Sequence, residues 1–302
     1  MISYLRSMRL FKSLLLTLLV VGTLNSCKKD EPTEEVKNLP EVTTKPVSNI
    51  GMTKAECGGV IISDGGLDIT QRGVCWSTQP NPTIADSFTS DDAGTGEFKS
   101  VMTNLDYRTK YYVRAYAKNK DGIAYGLQME FTTIPPMVGA EYGGGIIAYI
   151  LQSFDDGYSE DSISGIVVSL DSIKKSCYWG SIDKFVFRTS EEIGSGLSNT
   201  NKILEEYNDY ESAAGLCSRI SIDGYDDWFL PSLFELREIE SGLRRELEIL
   251  NLGQLIWSST QTEYVTNARV IEVGSESNEL MAQKNMPNLC AIPARYFAIP
   301  KK

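Results

Sequence analysis

The feature that most restricts the fold is a rhythm of turns. Between Leu39 and Thr133 the chain is dense in Val, Thr, Tyr and Gly. A turn signal falls about every ten residues, which is the spacing of an all-β sandwich. Asp64-Gly65-Gly66 separates a strand ending near Ile62 from one over 70–78. Pro80-Asn81-Pro82 stops the second, because neither proline can donate to a ladder. Asp92-Ala93-Gly94-Thr95-Gly96 is a further loop. Over 111–118, Tyr111, Val113, Ala115 and Ala117 share one face and Tyr112, Arg114, Tyr116 and Lys118 the other, the alternation of a half-buried strand. Asn119-Lys120-Asp121-Gly122 turns it into a last strand that ends at Phe131-Thr132-Thr133.

Ile134-Pro135-Pro136 then reads as a stiff, short joint, since each proline fixes φ and pushes the residue before it to extended geometry. Beyond it the period changes. Tyr142-Gly143-Gly144-Gly145-Ile146 is a turn at close backbone approach rather than a phosphate loop, because no Gly-Lys-Ser/Thr follows and no helix opens there. Short strands are expected at 164–169 and 185–187, and helical periodicity at 201–207, 212–220 and 232–250. The last helix has the clearest start. Ser232-Leu233-Phe234-Glu235 is a capping box, and Leu233, Leu236, Ile239 and Leu243 form one apolar stripe. The expected architecture is a β-sandwich over 39–133, a proline linker over 134–137 and a compact α+β domain over 138–300.

Charge narrows the function. Up to Met137 fifteen Lys/Arg balance fifteen Asp/Glu, whereas from Val138 on fourteen face twenty-five, so the net charge of −11 belongs to the second half. Such a surface repels polyphosphate, which sets nucleic acid aside as a partner. The chain has no histidine, which removes Ser-His-Asp and Cys-His catalysis. No CxxC motif supports zinc, and no cofactor motif is present. Nothing singles out two of the many carboxylates as a hydrolase pair, so no enzyme activity is expected. Of six cysteines, Cys57 and Cys75 lie on consecutive expected strands; a bridge and two buried thiols both fit. Cys217, beside Ala213 and Leu216, reads as core.

The beginning of the chain carries an address. Arg6, Arg9 and Lys12 precede an apolar run from Leu14 to Val21, too short to span a bilayer. Leu24-Asn25-Ser26-Cys27 has the form of a lipobox. Residues 1–26 are then a signal peptide, Cys27 the acylated residue, and 27–38 a charged tether. Two or three acyl chains hold a protein stably on a membrane. Lys28-Lys29-Asp30-Glu31 resembles the surface-export tag of some Gram-negative anaerobes, which implies a surface-exposed outer-membrane lipoprotein.

The stretch DGYDDWFLPSLFEL, residues 223–236, concentrates acids, aromatics and a proline before the capped helix. Asp223, Asp226 and Asp227 are weak calcium candidates: the ion takes about six to eight oxygens and the EF-hand spacing is absent. The reading preferred here is a structural pin. Trp228 and Leu230 point to one side of a short extended segment and Phe229 to the other, and Pro231-Ser232 switches it into the helix.

Two resemblances follow from motifs. Gly73-Val74-Cys75-Trp76-Ser77, Asn81-Pro82-Thr83, Gly94-Thr95-Gly96 and Tyr111-Tyr112-Val113-Arg114-Ala115-Tyr116-Ala117 resemble the fibronectin type III-like repeats of bacterial surface lipoproteins, which implies a spacer. Gly224-Tyr225, Asp227-Trp228-Phe229-Leu230-Pro231-Ser232 and Glu235-Leu236 resemble the Lcl C-terminal-like domain, named for a bacterial collagen-like adhesin. Supporting residues are Ile193-Gly194-Ser195-Gly196, Ala213-Ala214-Gly215-Leu216-Cys217, Trp257-Ser258-Ser259-Thr260 and Ala294-Arg295-Tyr296-Phe297. The resemblance implies a C-type-lectin-like fold, with Trp228, Leu230, Pro231, Ser232, Glu235 and Trp257 as its structural signature. It also implies adhesion through a glycan or surface-protein ligand. The namesake's sulfated polysaccharide does not transfer, since its binding needs clustered Lys/Arg. Arg244-Arg245, the adjacent pair, is expected to bond Glu240 or Glu248. Tyr158, Tyr178, Trp179 and Tyr264 fit platforms for sugar rings and buried core equally well. A non-catalytic subunit of an envelope assembly is the competing reading, and a hydrolase ranks third.

Overall fold

The computed structural model describes residues 37–251, 255–275 and 279–301. The lipobox, Cys27 and nearly all of the tether lie outside the described residues. The first strands, in chain order, are β1 (Glu41–Thr44), β2 (Ala55–Ser63), β3 (Gln71–Ser77), β4 (Ser87–Phe88), β5 (Gly96–Met102), β6 (Lys110–Asn119), β7 (Gly122–Tyr125) and β8 (Met129–Thr132). They form two antiparallel sheets. One has the order β1-β2-β5; the other runs β4-β3-β6-β7, with β8 also on β6. This is a β-sandwich. Its interior holds Val42, Ala55, Ile61, Val74, Trp76 and Phe98 together with the four alternating residues of β6, Tyr111, Val113, Ala115 and Ala117. Tyr116, on the opposite face of β6, is buried as well. Phe88 covers it edge-on at 6.3 Å, and its hydroxyl donates to the Thr89 carbonyl at 2.6 Å. The expected last strand is broken into β7 and β8 at Gly126, where an added Cβ would lie 2.5 Å from Thr44 Oγ1.

Cys57 lies in the sandwich interior. Cys75 sits between the inward Val74 and Trp76, so its Sγ projects from the other face, toward the Pro82 carbonyl at 3.4 Å. The two thiols thus stand on opposite faces, and no bridge forms. Cys57, Cys75, Cys177, Cys217 and Cys290 are all buried and unbonded to one another. Burial pushes each thiol up, Cys75 and Cys177 to about 12. A raised thiol holds its proton longer folded than unfolded, so its contribution is intact below the unfolded value of 9.0 and fades as pH rises beyond it. These five thiols are expected to resist Ellman's reagent in native protein and to react in denaturant, and urea stability is expected to fall above about pH 9. Rapid labelling of native protein contradicts this burial.

The second half contains β9 (Glu141–Tyr142), β10 (Gly145–Ile150), β11 (Ser162–Val168), β12 (Lys174–Cys177), α1 (Gly196–Tyr207), α2 (Ala213–Ser218), α3 (Leu233–Ile249), β13 (Leu255–Gln261), β14 (Asn267–Glu272), β15 (Glu279–Gln283), β16 (Leu289–Ala291) and β17 (Ala294–Pro300). One sheet runs β17-β11-β10-β9 and the other β12-β16-β13-β14-β15. The late strand β17 returns to an early one: it pairs with β11 from Ser162↔Pro300 to Val168↔Ala294. On the other side of β11, Gly145 lets β10 approach closely, since an added Cβ would lie 2.3 Å from the Val168 carbonyl oxygen. The strand expected at 185–187 does not form. Three apolar residues in a row carry no alternation; Val186 is buried, and Phe185 and Phe187 tilt against each other at 4.9 Å.

The stripe of α3, Leu233, Leu236, Ile239 and Leu243, is buried against Ile166, Phe229, Ile256 and Ile292. The helix bends at Leu243, whose φ of −123° and ψ of 26° are not helical. The preceding Gly242 lies so near β10 that a Cβ would approach the Ala148 carbonyl oxygen to 2.3 Å. Arg244 pairs with Glu240, one turn back, at 2.9 Å.

Sandwich and second half share a buried cluster. Met52 and Tyr107 from sandwich loops pack with Ala140, Ile147, Trp228 and Phe297, and Ile134 joins them. The Ile134 amide donates to the Gly51 carbonyl at 3.1 Å. The Tyr107 hydroxyl donates to the Pro300 carbonyl at 2.7 Å, and Lys54 pairs with Glu141. The described residues from Asn38 on form one compact unit. Met52→Ala is therefore expected to cost about 2–5 kcal/mol within a single urea transition seen alike by fluorescence and circular dichroism. Two separated transitions, with only the first shifted, would show independent halves.

Candidate functional site

The corner at 223–236 starts as a two-residue turn. Asp223 and Gly224 have φ of 52° and 84°, and Ile222 and Tyr225 exchange hydrogen bonds of 3.0 and 2.9 Å across them. Positive φ at both central residues is the hairpin geometry that Asp-Gly favours. The Trp228 indole N–H then donates back to the Tyr225 carbonyl at 3.1 Å. Phe229 exchanges two backbone hydrogen bonds with Ala294, at 2.8 and 2.9 Å, as an isolated bridge.

The expectation that Trp228 and Leu230 share a side is corrected. The three consecutive side chains enter three different clusters. Trp228 packs with Tyr107 and Phe297, Phe229 with the α3 stripe, and Leu230 with Trp179, Ile203 and Trp257. Alternation holds only in a regular strand, and this segment makes a single bridge. Its polar groups are bound on every side. The Leu230 amide donates to Thr200 Oγ1 at 3.0 Å, and the Pro231 carbonyl accepts from the Ser259 amide at 2.7 Å. The Trp257 indole donates to the Cys177 carbonyl at 3.0 Å.

The acidic residues of the stretch do not converge on one point. Asp227 grips Arg295 with two hydrogen bonds, from Nε at 2.6 Å and Nη2 at 3.0 Å. The guanidinium carbon lies 3.9 Å from the Tyr225 ring centre, a cation–π contact. Gly143, whose φ of 56° favours glycine, covers this arginine, and a Cβ there would lie 2.7 Å from Arg295 Nη1. Asp223 lines a separate hollow and Asp226 faces solvent. Among the described residues no group of three acidic or cysteine side chains is placed to hold a metal ion.

Glu235 lies at the centre of the site. It is fully buried, and each of its partners donates. Oε2 accepts from the Ser232 amide at 2.8 Å; Oε1 accepts from the Gly194 amide at 2.8 Å, the Gly196 amide at 3.4 Å and the Tyr296 hydroxyl. Ser232 Oγ in turn accepts the Glu235 amide at 3.4 Å, completing the capping box. Burial pushes the Glu235 carboxyl above its ordinary value, and these four donors pull against it. The role of Gly194 and Gly196 was not evident from sequence, because they act through backbone amides.

Two cavities open outside this buried group. One, of about 450 Å³, is lined by Leu151, Ile193, Gly194, Tyr296 and Phe297 among others. The second, also about 450 Å³, is lined by Phe154, Asp155, Glu192, Phe234, Arg237 and Glu238. Asp156 and Ile193 belong to both. A third hollow, of about 620 Å³, lies between the β9–β10 turn, Thr53-Lys54 and the end of α3. Its single lysine, Lys54, is already paired with Glu141.

Of the four aromatics that fitted either a sugar platform or the core, Trp179 belongs to the core: it is fully buried. Its ring lies 4.8 Å from the Lys284 ammonium, which donates to the Lys184 carbonyl at 2.8 Å and the Tyr207 hydroxyl at 3.0 Å. Burial holds Lys284 down at about 8. Tyr178 is half-buried and donates to Asp209 at 2.8 Å. Tyr158 and Tyr264 are exposed, and so, more fully, is Phe154 at 83%.

No family model matches the chain, and no curated protein does. Similar solved structures include the sensor domain of the anti-sigma factor RsgI4 from Pseudobacteroides cellulosolvens, at 14% identity and TM-score 0.25, covering 32% of this chain and 94% of that one. A computer-redesigned β-sandwich protein matches at 24% identity and TM-score 0.23, covering 32% and 93%. Titin domains A168–A170 match at 24% and 0.24, covering 32% of each chain.

Glu235→Ala strands three amides and one hydroxyl in the interior. A loss of about 3–5 kcal/mol in urea unfolding is expected, against about 1.5–3 for Tyr296→Phe, which removes one hydrogen bond to a charged group. Equal, small losses would show that the carboxylate is dispensable.

Proposed function

We propose that the protein is an acylated, surface-exposed outer-membrane lipoprotein. In this reading a fibronectin type III-like sandwich carries a C-type-lectin-like domain of the Lcl C-terminal kind, and that domain binds a glycan or a protein at the cell surface. Support for the address comes from Leu24-Asn25-Ser26-Cys27 and the charged residues after it. Support for binding comes from one observation above all, the paired cavities beside Tyr296 with an exposed phenylalanine at their rim. Solvent-exposed concave surface with apolar walls and a few polar groups is where ligands are generally held. The shared cluster of Met52, Tyr107, Trp228 and Phe297 suits a spacer that presents this surface in a fixed orientation.

Two measurements test the reading. Cys27→Ala is expected to shift the protein from the membrane fraction to the soluble fraction of the producing cell; unchanged partition removes the lipid anchor. Folded protein is expected to give reproducible hits on a glycan array or on immobilised surface-protein peptides. Silence on both favours a non-catalytic subunit of an envelope assembly.

A further inference from the structure

We propose that the paired cavities beside Tyr296 recognise a protein segment in which an apolar side chain stands next to a lysine or arginine. This rests on the reading of the second half as a binding domain, and names its site and partner class. The first cavity is an apolar recess. Leu151, Ile193 and Phe297 wall it together with Tyr296. The Tyr296 hydroxyl donates to the buried Glu235, so the tyrosine offers its ring to the recess rather than its polar tip. Gly157 and Gly194, with φ of 83° and 91°, keep the rim free of side chains.

The second cavity differs in charge. Asp155, Asp156, Glu192 and Glu238 face a single cation, Arg237, and Arg237 is already paired with Glu279 at 3.0 Å. Asp155 is fixed in place, since Oδ2 accepts from the Tyr149 hydroxyl at 2.8 Å and the Gln152 amide at 2.6 Å. The charge of Asp155 also acts on Glu238, which burial has already pushed up. An unneutralised acidic recess favours a cationic ligand group and repels sulfate or uronate. Phe154, 83% exposed at this rim, adds a ring face suited to an ammonium or guanidinium. Because Asp156 and Ile193 border both recesses, neighbouring residues of one extended segment can fill the two together. That combination selects a peptide over a neutral sugar, which would leave the acidic recess without a counter-charge.

The test uses the mature chain with Cys27→Ser and an immobilised hexapeptide library. Enrichment of Leu, Ile or Phe beside Lys or Arg is expected, with capture weakening as salt rises. Phe154→Ala and the double variant Asp156→Asn, Glu238→Gln are each expected to weaken the selected peptide roughly tenfold. All three side chains line open cavities, and unchanged circular dichroism confirms folding. No enrichment, or a selected peptide that binds these variants normally, overturns the proposal. A glycan-array hit that survives Phe154→Ala also overturns it while leaving the broader binding function standing; one lost in Phe154→Ala reassigns the cavities to sugar. Failure of peptides and glycans together removes the binding function as well.

Discussion

The second half of this molecule is organised around one buried carboxylate. Glu235 gathers donors from three places far apart in sequence: the start of α1 through Gly194 and Gly196, the cap of α3 through Ser232, and β17 through Tyr296. A carboxylate in a dry interior is costly unless its lone pairs are met. Meeting them here requires all three segments to be in their final positions, and so the glutamate acts as a check on the whole arrangement. The glycines belong to the same constraint. A Cβ on Gly196 would come within 2.2 Å of Glu235 Oε2 and 2.6 Å of the Phe229 ring.

From that point the rest of the corner follows. With Ser232 fixed as the helix cap, Pro231 and Leu230 are tied to Ser259 and Thr200, and Phe229 is bridged to Ala294. Trp228 is carried into the cluster that the sandwich loops also enter through Met52 and Tyr107. One short irregular segment thereby joins three hydrophobic clusters. The paired cavities lie on the outer side of this arrangement, where Tyr296 and Gly194 contribute both to the buried network and to the open wall.

Much of this was legible in the residues, for definite reasons. The capping box and the α3 stripe are local patterns with fixed spacing, and both stand where the spacing put them. The alternation of β6 was legible because one face of a regular strand is buried; Tyr116 escaped it because the Phe88 ring, two strands away in the same sheet, covers it on the other face. Sequence reasoning failed where an element was irregular or a partner distant. Alternation misplaced Leu230 relative to Trp228, since the segment is no strand. Platform and core stayed equally open for Trp179, because nothing nearby in the chain hints that Lys284 and Tyr207 enclose it. The bonds from Gly194 and Gly196 are made by amides that every residue possesses, so no side-chain pattern could announce them.

The pairing of β17 with β11 bears on how the chain is made. A polypeptide is synthesised from its N-terminus, so β11 is complete well before its partner strand is. Until the late strand arrives, β11 has an unsatisfied edge, Glu235 lacks its tyrosine and Tyr107 lacks the Pro300 carbonyl. The sandwich can close early, but the second half must wait until β17 has been made. During that interval the nascent protein carries an adhesive strand edge, which makes it a ready client for holding chaperones.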